Sequence, residues 1–105
     1  MRKKKIKFDI SGKTVDGKLV VSGLFKIVET YGIPLTDALI MLKESDLVVD
    51  WIDYYESAVK SGMKSDRILE RLKYNIGDAY CAEHSVYVIK ALKYHINRRD
   101  YKDTV

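Results

Sequence analysis

Apolar residues alternate with charged ones at the start of the chain. Ile6, Phe8 and Ile10 occupy every second position, which is the period of a half-buried β-strand. Asp16-Gly17 is a dipeptide favoured in hairpin turns, and residues 19–21, Leu-Val-Val, suit a returning strand. Because a two-stranded ribbon is marginally stable alone, we expect it to pack on the rest of the domain or to pair with another chain.

After this ribbon the apolar spacing becomes helical. It predicts a first helix over about residues 24–31, with Ser22 as its N-cap and Gly32 as its stop. Pro34 suits the first turn of a second helix, which continues through Leu42.

Residues 24–44 also have the outline of a helix-turn-helix. A recognition helix must present Arg, Lys, Asn or Gln to base edges. Here the second helix offers Asp37, an apolar run, and Lys43 beside Glu44. We therefore interpret the segment as an αα-hairpin at the heart of the domain.

The helical pattern continues to near the end of the chain. Ser45 is predicted to cap a third helix that ends at Gly62. Ser65 is predicted to cap a fourth, and Gly77 to bend or break it. A fifth helix is expected from Ala82 to about residue 99.

These elements predict one α+β domain, predominantly α, over residues 1–105. It comprises an N-terminal β-hairpin with a basic arm in 1–21, a compact bundle of about five short helices in 22–99, and a frayed tail in 100–105. The expected core residues are Leu39, Ile40, Leu42, Trp51, Leu69, Leu72, Val88 and Leu92.

Composition narrows the functional classes. Of the 105 residues, 47% are hydrophobic and 32% charged, as in ordinary globular domains. No apolar run approaches the roughly 20 residues that span a bilayer, so we expect no membrane partner. The single cysteine, Cys81, excludes an internal disulfide and fits a reducing compartment, which predicts a cytoplasmic protein.

The net charge of +4 is unevenly distributed. Residues 1–26 hold eight Lys and Arg against two acids, residues 27–59 hold one against seven, and residues 60–105 hold ten against six. Basic ends around an acidic middle favour pairing within the chain, between copies, or with a charged partner.

Four tyrosines recur every seven residues near the C-terminus, at Tyr80, Tyr87, Tyr94 and Tyr101. Seven residues are two helical turns, so on a helix these rings form one stripe beside the apolar face. Tyrosine with interleaved cations is typical of protein interfaces and of surfaces that stack nucleic-acid bases. The rings could equally fill gaps around the core, with their hydroxyls outward.

A second candidate surface is acidic. Asp46, Asp50 and Asp53 have the i, i+4, i+7 spacing of one helix face. Such a face could contact a basic partner, or simply be solvated. Together with Tyr87 and Tyr94, these carboxylates are the predicted partner-binding residues.

Basic residues supply the alternative, a nucleic-acid surface. An N-terminal arm could follow phosphates, or its lysines could protect an edge strand from unwanted pairing. The nucleic-acid candidates are Arg2, Lys3, Lys4, Lys5, Lys7, Lys90, Tyr94, Arg98 and Arg99.

Cys81 and His84 lie three residues apart, close enough to share a helix face. Two ligands do not make a zinc site, and no third group orients a nucleophilic pair. We expect a buried cysteine and a half-exposed histidine here, with no catalytic residue, metal, cofactor or small-molecule substrate.

The sequence thus favours a small non-enzymatic interaction protein, an adaptor, regulator or inhibitor that binds a protein partner or self-associates. The alternative is a nucleic-acid-binding protein that uses its basic termini and the tyrosine-bearing helix face.

Overall fold

A computed structural model describes the backbone of residues 8–103 and the side chains of residues 8–98. Five helices and a small sheet form the described part of the chain, confirming the predicted, predominantly helical α+β fold. The elements are β1 (Asp9–Lys13), β2 (Leu19–Ser22), α1 (Leu24–Tyr31), α2 (Leu35–Glu44), β3 (Val48–Val49), α3 (Trp51–Lys60), α4 (Ser65–Ala79) and α5 (Ala82–Asp103).

The predicted hairpin is present, with a shifted first strand. β1 and β2 pair antiparallel around the Asp16-Gly17 turn, where Gly17 has a φ of 88°. The register is irregular between Ile10 and Gly12, and the whole of β1 is exposed. Ile10 is therefore on the surface, whereas the alternation predicted a buried position. Ile6 lies outside the described residues.

A third strand, which sequence reasoning missed, completes the sheet. Val48 and Val49 lie parallel to Val20 and Val21 of β2. The N–H of Asp50 then donates to the carbonyl of Val21 at 2.9 Å. The pairing satisfies the inner edge of β2, so the ribbon packs within the domain.

The third helix consequently begins later than predicted. Asp50 is the N-cap of α3, and its carboxylate accepts from the N–H of Asp53 at 3.0 Å. Ser45, the predicted cap, instead ends α2, and Asp46 follows with a left-handed φ of 57°. Aspartate is among the few non-glycine residues that tolerate this conformation.

The first two helices occupy nearly the predicted ranges. Gly32 ends α1 in a left-handed conformation with its N–H on the carbonyl of Val28. The cap prediction at Ser22 is wrong, because Ser22 belongs to β2 and Gly23 precedes the helix. Helix α1 packs chiefly against α3, and α2 packs chiefly against α4. The predicted αα-hairpin would require α1 and α2 to pack chiefly against each other.

Gly77 lies inside α4 and does not break it, contrary to the prediction of a break there. The helix continues to Ala79, and the break falls at Tyr80 and Cys81. Glycine inside a helix costs only about 1 kcal/mol relative to alanine, and packing of α4 on α5 offsets that cost. Helix α5 itself extends to Asp103, four residues beyond its predicted end.

Every helix contributes to one core. Leu39, Leu42, Leu72 and Leu92 are fully buried there, as the helical spacing predicted. The complete buried apolar set of the described residues is Val21, Leu24, Phe25, Val28, Leu35, Ala38, Leu39, Leu42, Tyr54, Tyr55, Ala58, Ile68, Leu72, Ile76, Ala79, Val88 and Leu92.

Three residues predicted in the core lie elsewhere. Ile40 is 39% exposed, because the inward face of α2 is formed by residues 35, 38, 39 and 42. Trp51 and Leu69 are partly buried at the margin of the core. None of the helices in the described part of the chain has both the length and the apolar character needed to cross a bilayer.

Candidate functional site

Helix α5 has two adjacent faces with different environments. Ser85, Val88 and Leu92 lie buried against the core at helical spacing. The neighbouring face, residues 87, 90, 91, 94, 95 and 98, repeats the same spacing and lines a surface groove. An ordinary surface helix has one apolar stripe, so this second face is the first sign of a binding surface.

The groove lies between α3 and α5. Its volume is about 870 Å³, and its lining residues are Ile52, Tyr87, Lys90, Ala91, Tyr94, His95 and Arg98. Ile52, from α3, is 47% exposed, while Tyr87 and Tyr94 are 73% and 65% exposed. Three large apolar side chains thus remain accessible around one concavity, which is typical of interaction sites.

A polar contact joins the two helices at the groove. Nε2 of His95 lies 2.9 Å from Oε1 of Glu56, and both side chains are about 30% exposed. This contact links α5 to α3 beside the apolar floor. It holds His95 in a defined orientation at the groove wall.

The groove is cationic as well as apolar. Its lining includes Lys90 and Arg98 and, among the described residues, no carboxylate. The guanidinium of Arg98 lies 5.8 Å from the centre of the Tyr94 ring, within cation–π range. Along the sequence of α5, no acid occurs between Glu83 and Asp100. The site is therefore complementary to an anionic, partly apolar partner.

Only part of the predicted tyrosine stripe lies on this groove. Tyr87 and Tyr94 do, but Tyr80 ends α4 and stacks on the ring of His84 at 4.6 Å, with Lys43 above it. Burial raises the pKa of Tyr80. The side chain of Tyr101 lies outside the described residues.

The prediction that Asp46, Asp50 and Asp53 lie on one face of the third helix is wrong. Asp46 precedes the helix, and its carboxylate lies 3.2 Å from the ammonium of Lys18. Asp50 caps α3, while Asp53 accepts from the N–H of Gly23 at 2.8 Å. Two of the three carboxylates therefore bind backbone amides, because α3 begins at residue 51.

Cys81 and His84 lie at the start of α5, and the prediction of a buried cysteine is wrong. The Cys81 thiol is exposed, and its sulfur accepts from the N–H of His84 at 3.4 Å. His84 is half-buried, as expected. Within the described residues, no group of three or more His, Cys, Asp or Glu is placed to hold a metal ion.

Only some of the residues predicted to bind nucleic acid have side chains within the described part of the chain. Lys90, Tyr94 and Arg98 share the groove, whereas the basic arm at residues 2–5 and 7 and the side chain of Arg99 lie outside the described residues.

Sequence reasoning missed Ile52 and the contact between Glu56 and His95. Ile52 has the spacing of a core position, but in the structure it is 47% exposed and lines the groove.

Comparison of the chain with protein-family models, with curated proteins and with solved structures finds no match.

Proposed function

We propose that this is a non-enzymatic binding protein, an adaptor, regulator or inhibitor, whose interface is the groove between α3 and α5. The observation that carries the proposal is the second face of α5. Tyr87 and Tyr94 are largely exposed beside Ile52, over a concave apolar floor with cations at its margin. Tyrosine and arginine are enriched among the residues that dominate binding energy at protein interfaces.

The chemistry of the groove favours a protein partner with acidic and apolar side chains. Ile52 and Ala91 offer aliphatic surface but no hydrogen bonds, so the edges of nucleic-acid bases would gain little there. Lys90 and Arg98 supply the positive charge that attracts an acidic segment and accelerates its association.

Our proposal rests on Tyr87 and Tyr94 rather than on the aspartates. Asp50 and Asp53 already accept hydrogen bonds from backbone amides, and reversing their charge would break those bonds. Self-association through an acidic third helix therefore loses its main support.

The test is an NMR titration in which the amide chemical shifts of isotope-labelled protein are monitored as peptide is added. Two peptide pools are compared, one of random sequences rich in Glu and Leu, the other rich in Lys and Leu. The acidic pool is expected to shift the amides of Ile52, Ala91 and Tyr94, and the basic pool is not. Tyr94→Ala should abolish the shifts, whereas Tyr74→Ala, an exposed tyrosine on α4, should not. If the acidic pool leaves these amides unmoved, the proposal is wrong.

A nucleic-acid partner is the second candidate, supported by the contact of Arg98 with the Tyr94 ring. Aromatic rings with adjacent cations can stack bases and hold phosphates. Labelled single-stranded and duplex oligonucleotides are titrated at several salt concentrations. Binding that weakens by decades as salt rises, and single-strand binding that Tyr94→Ala impairs more than duplex binding, would assign the groove to nucleic acid.

A further inference from the structure

We infer that the partner segment is an amphipathic α-helix whose two carboxylates lie about two turns apart and bracket an apolar patch. The inference rests on the proposed function of the groove between α3 and α5. It specifies the conformation of the occupant and the spacing of its charges.

The walls of the groove favour a helix over an extended segment. Both walls are helices, α3 and α5, whose interior backbone N–H and C=O groups are already paired within each helix. An extended peptide gains affinity chiefly by main-chain bonding to an exposed sheet edge, and no strand among the described residues lines this groove. A helix needs no such partner, since its own backbone is satisfied.

The length of the groove also suits a short helix. Its lining residues on α5 run from Tyr87 to Arg98, a rise of about 16 Å at 1.5 Å per residue. About three turns of a partner helix have the same length. Packed helices lie about 8–10 Å apart, so such a helix would bring its apolar side chains onto Ile52, Ala91 and Tyr94.

The two cations set the expected charge spacing. Lys90 and Arg98 both line the groove, and they lie about 12 Å apart along the axis of α5. A helix lying alongside α5 reaches both cations with carboxylates separated by two turns, about 11 Å, and flexible side chains absorb the difference. Apolar residues one turn from each carboxylate then face the floor of the groove.

The absence of competing carboxylates supports this complementarity. No acid lines the groove among the described residues, and Glu56 reaches its wall through contact with His95. No carboxylate among the described lining residues therefore opposes Lys90, and the guanidinium of Arg98 lies 5.8 Å from the centre of the Tyr94 ring.

The experiment compares two labelled helical peptides of identical composition. One carries glutamates two turns apart with a pair of leucines midway between them. In the other, both glutamates are moved by half a turn, to the opposite face. Fluorescence anisotropy with the 105-residue chain should show the first peptide binding about tenfold more tightly, since each of two charge pairs contributes a few-fold.

Variants identify the contacts. Arg98→Glu should weaken the first peptide, and a peptide with lysine in place of the glutamate that meets Arg98 should restore binding to that variant. Tyr94→Ala should weaken both peptides, and Tyr74→Ala should leave both unchanged. Thermal unfolding of each variant checks that the fold is intact, which is expected because all three positions are exposed or line the open groove.

The outcomes separate this inference from the proposed function. Equal binding of the two peptides with shifts at groove amides would overturn the charge spacing and leave the interface standing. No binding by either peptide, with the acidic pool also inactive, would overturn both. Salt-sensitive binding of a short oligothymidylate in the groove, with neither peptide bound, would replace the protein partner by nucleic acid.

Discussion

Glu56 and His95 join α3 to α5 beside the groove, with 2.9 Å between Oε1 and Nε2. The two residues are 39 positions apart in sequence, so the contact exists only in the folded protein. It ties together the two walls that the proposed partner must meet.

Substituting the two residues singly and together should reveal a coupling energy between Glu56 and His95. A double-mutant cycle with Glu56→Ala and His95→Ala at neutral pH should give a coupling of about 0.5–1 kcal/mol in the free energy of unfolding, as for a half-exposed polar pair. Urea denaturation of the four proteins measures it. Additive effects of the two substitutions would show that the pair does not hold the helices together.

Two adjacent buried tyrosines of α3 should respond oppositely to loss of their hydroxyls. Tyr55 donates to Oγ of Ser65 at 2.9 Å, whereas Tyr54, only 1% exposed, has no hydrogen-bond partner for its oxygen among the described residues. Tyr55→Phe should lower the free energy of unfolding by about 1 kcal/mol. Tyr54→Phe should leave it unchanged or raise it, because an unsatisfied buried hydroxyl is removed. Equal losses in the two variants, measured by urea denaturation, would contradict this assignment.

Burial of Tyr54 also predicts a loss of stability at alkaline pH. Burial raises the pKa of the Tyr54 hydroxyl, because the folded protein disfavours the phenolate. The stabilisation linked to this residue is complete below the pKa of the unfolded chain, about 10. It is lost as the pH rises from there through the higher pKa of the folded state.

The matched measurement is the pH dependence of the free energy of unfolding for the native protein and Tyr54→Phe. The native protein should lose stability more steeply than the variant above about pH 10. Lysines titrate in the same range in both proteins, so the difference between the two curves isolates Tyr54. Parallel curves would show that the Tyr54 pKa is not raised.

The aspartates should differ sharply in their contribution to stability. Asp53 accepts from the N–H of Gly23 in a half-buried position, so Asp53→Ala should cost about 1–3 kcal/mol. Within the described residues, the Asp46 carboxylate pairs with Lys18 alone, and both side chains are exposed. Asp46→Asn keeps a residue that tolerates its left-handed backbone and should cost less than about 0.5 kcal/mol. Thermal unfolding of both variants checks the contrast. Equal shifts in Tm would argue against a stabilising hydrogen bond between Asp53 and Gly23.

Glycine at the end of α1 should be needed for its conformation rather than for space. Gly32 has a φ of 63°, and a Cβ there would meet nothing within 4 Å. Gly32→Ala should therefore cost about 1 kcal/mol through backbone strain alone. Gly12→Ala is the control, since Gly12 is equally open and has no positive φ. If the two variants unfold at the same urea concentration, the strain at Gly32 is negligible.

Local signals predicted much of the fold. Gly32 ends α1 where expected, and Asp16-Gly17 forms the hairpin turn. The helical spacing of apolar positions correctly placed Leu39, Leu72 and Leu92 in the core. Each of these outcomes depends on the backbone preferences or the helical face of a short segment, which the sequence states directly.

Elements that depend on distant partners were predicted poorly. Val48 and Val49 form a strand because β2 offers them an open edge, and a two-residue strand carries no periodicity of its own. Because these residues pair with β2, α3 begins later than predicted. Asp46, Asp50 and Asp53 therefore do not share the helix face that their spacing predicted. Gly77 stayed helical because α5 packs against α4 there.

The amino-acid sequence by itself determined the helical class, most helix ends and the paired stripes of α5, because these follow from residue preferences over one or two turns. Only the tertiary structure decided that Tyr87 and Tyr94 share a groove with Ile52, that Tyr80 packs away from them, and that Asp53 binds Gly23. Those relationships depend on where α3 meets α5 and α1, and contacts between distant segments are set by the packing of the whole core.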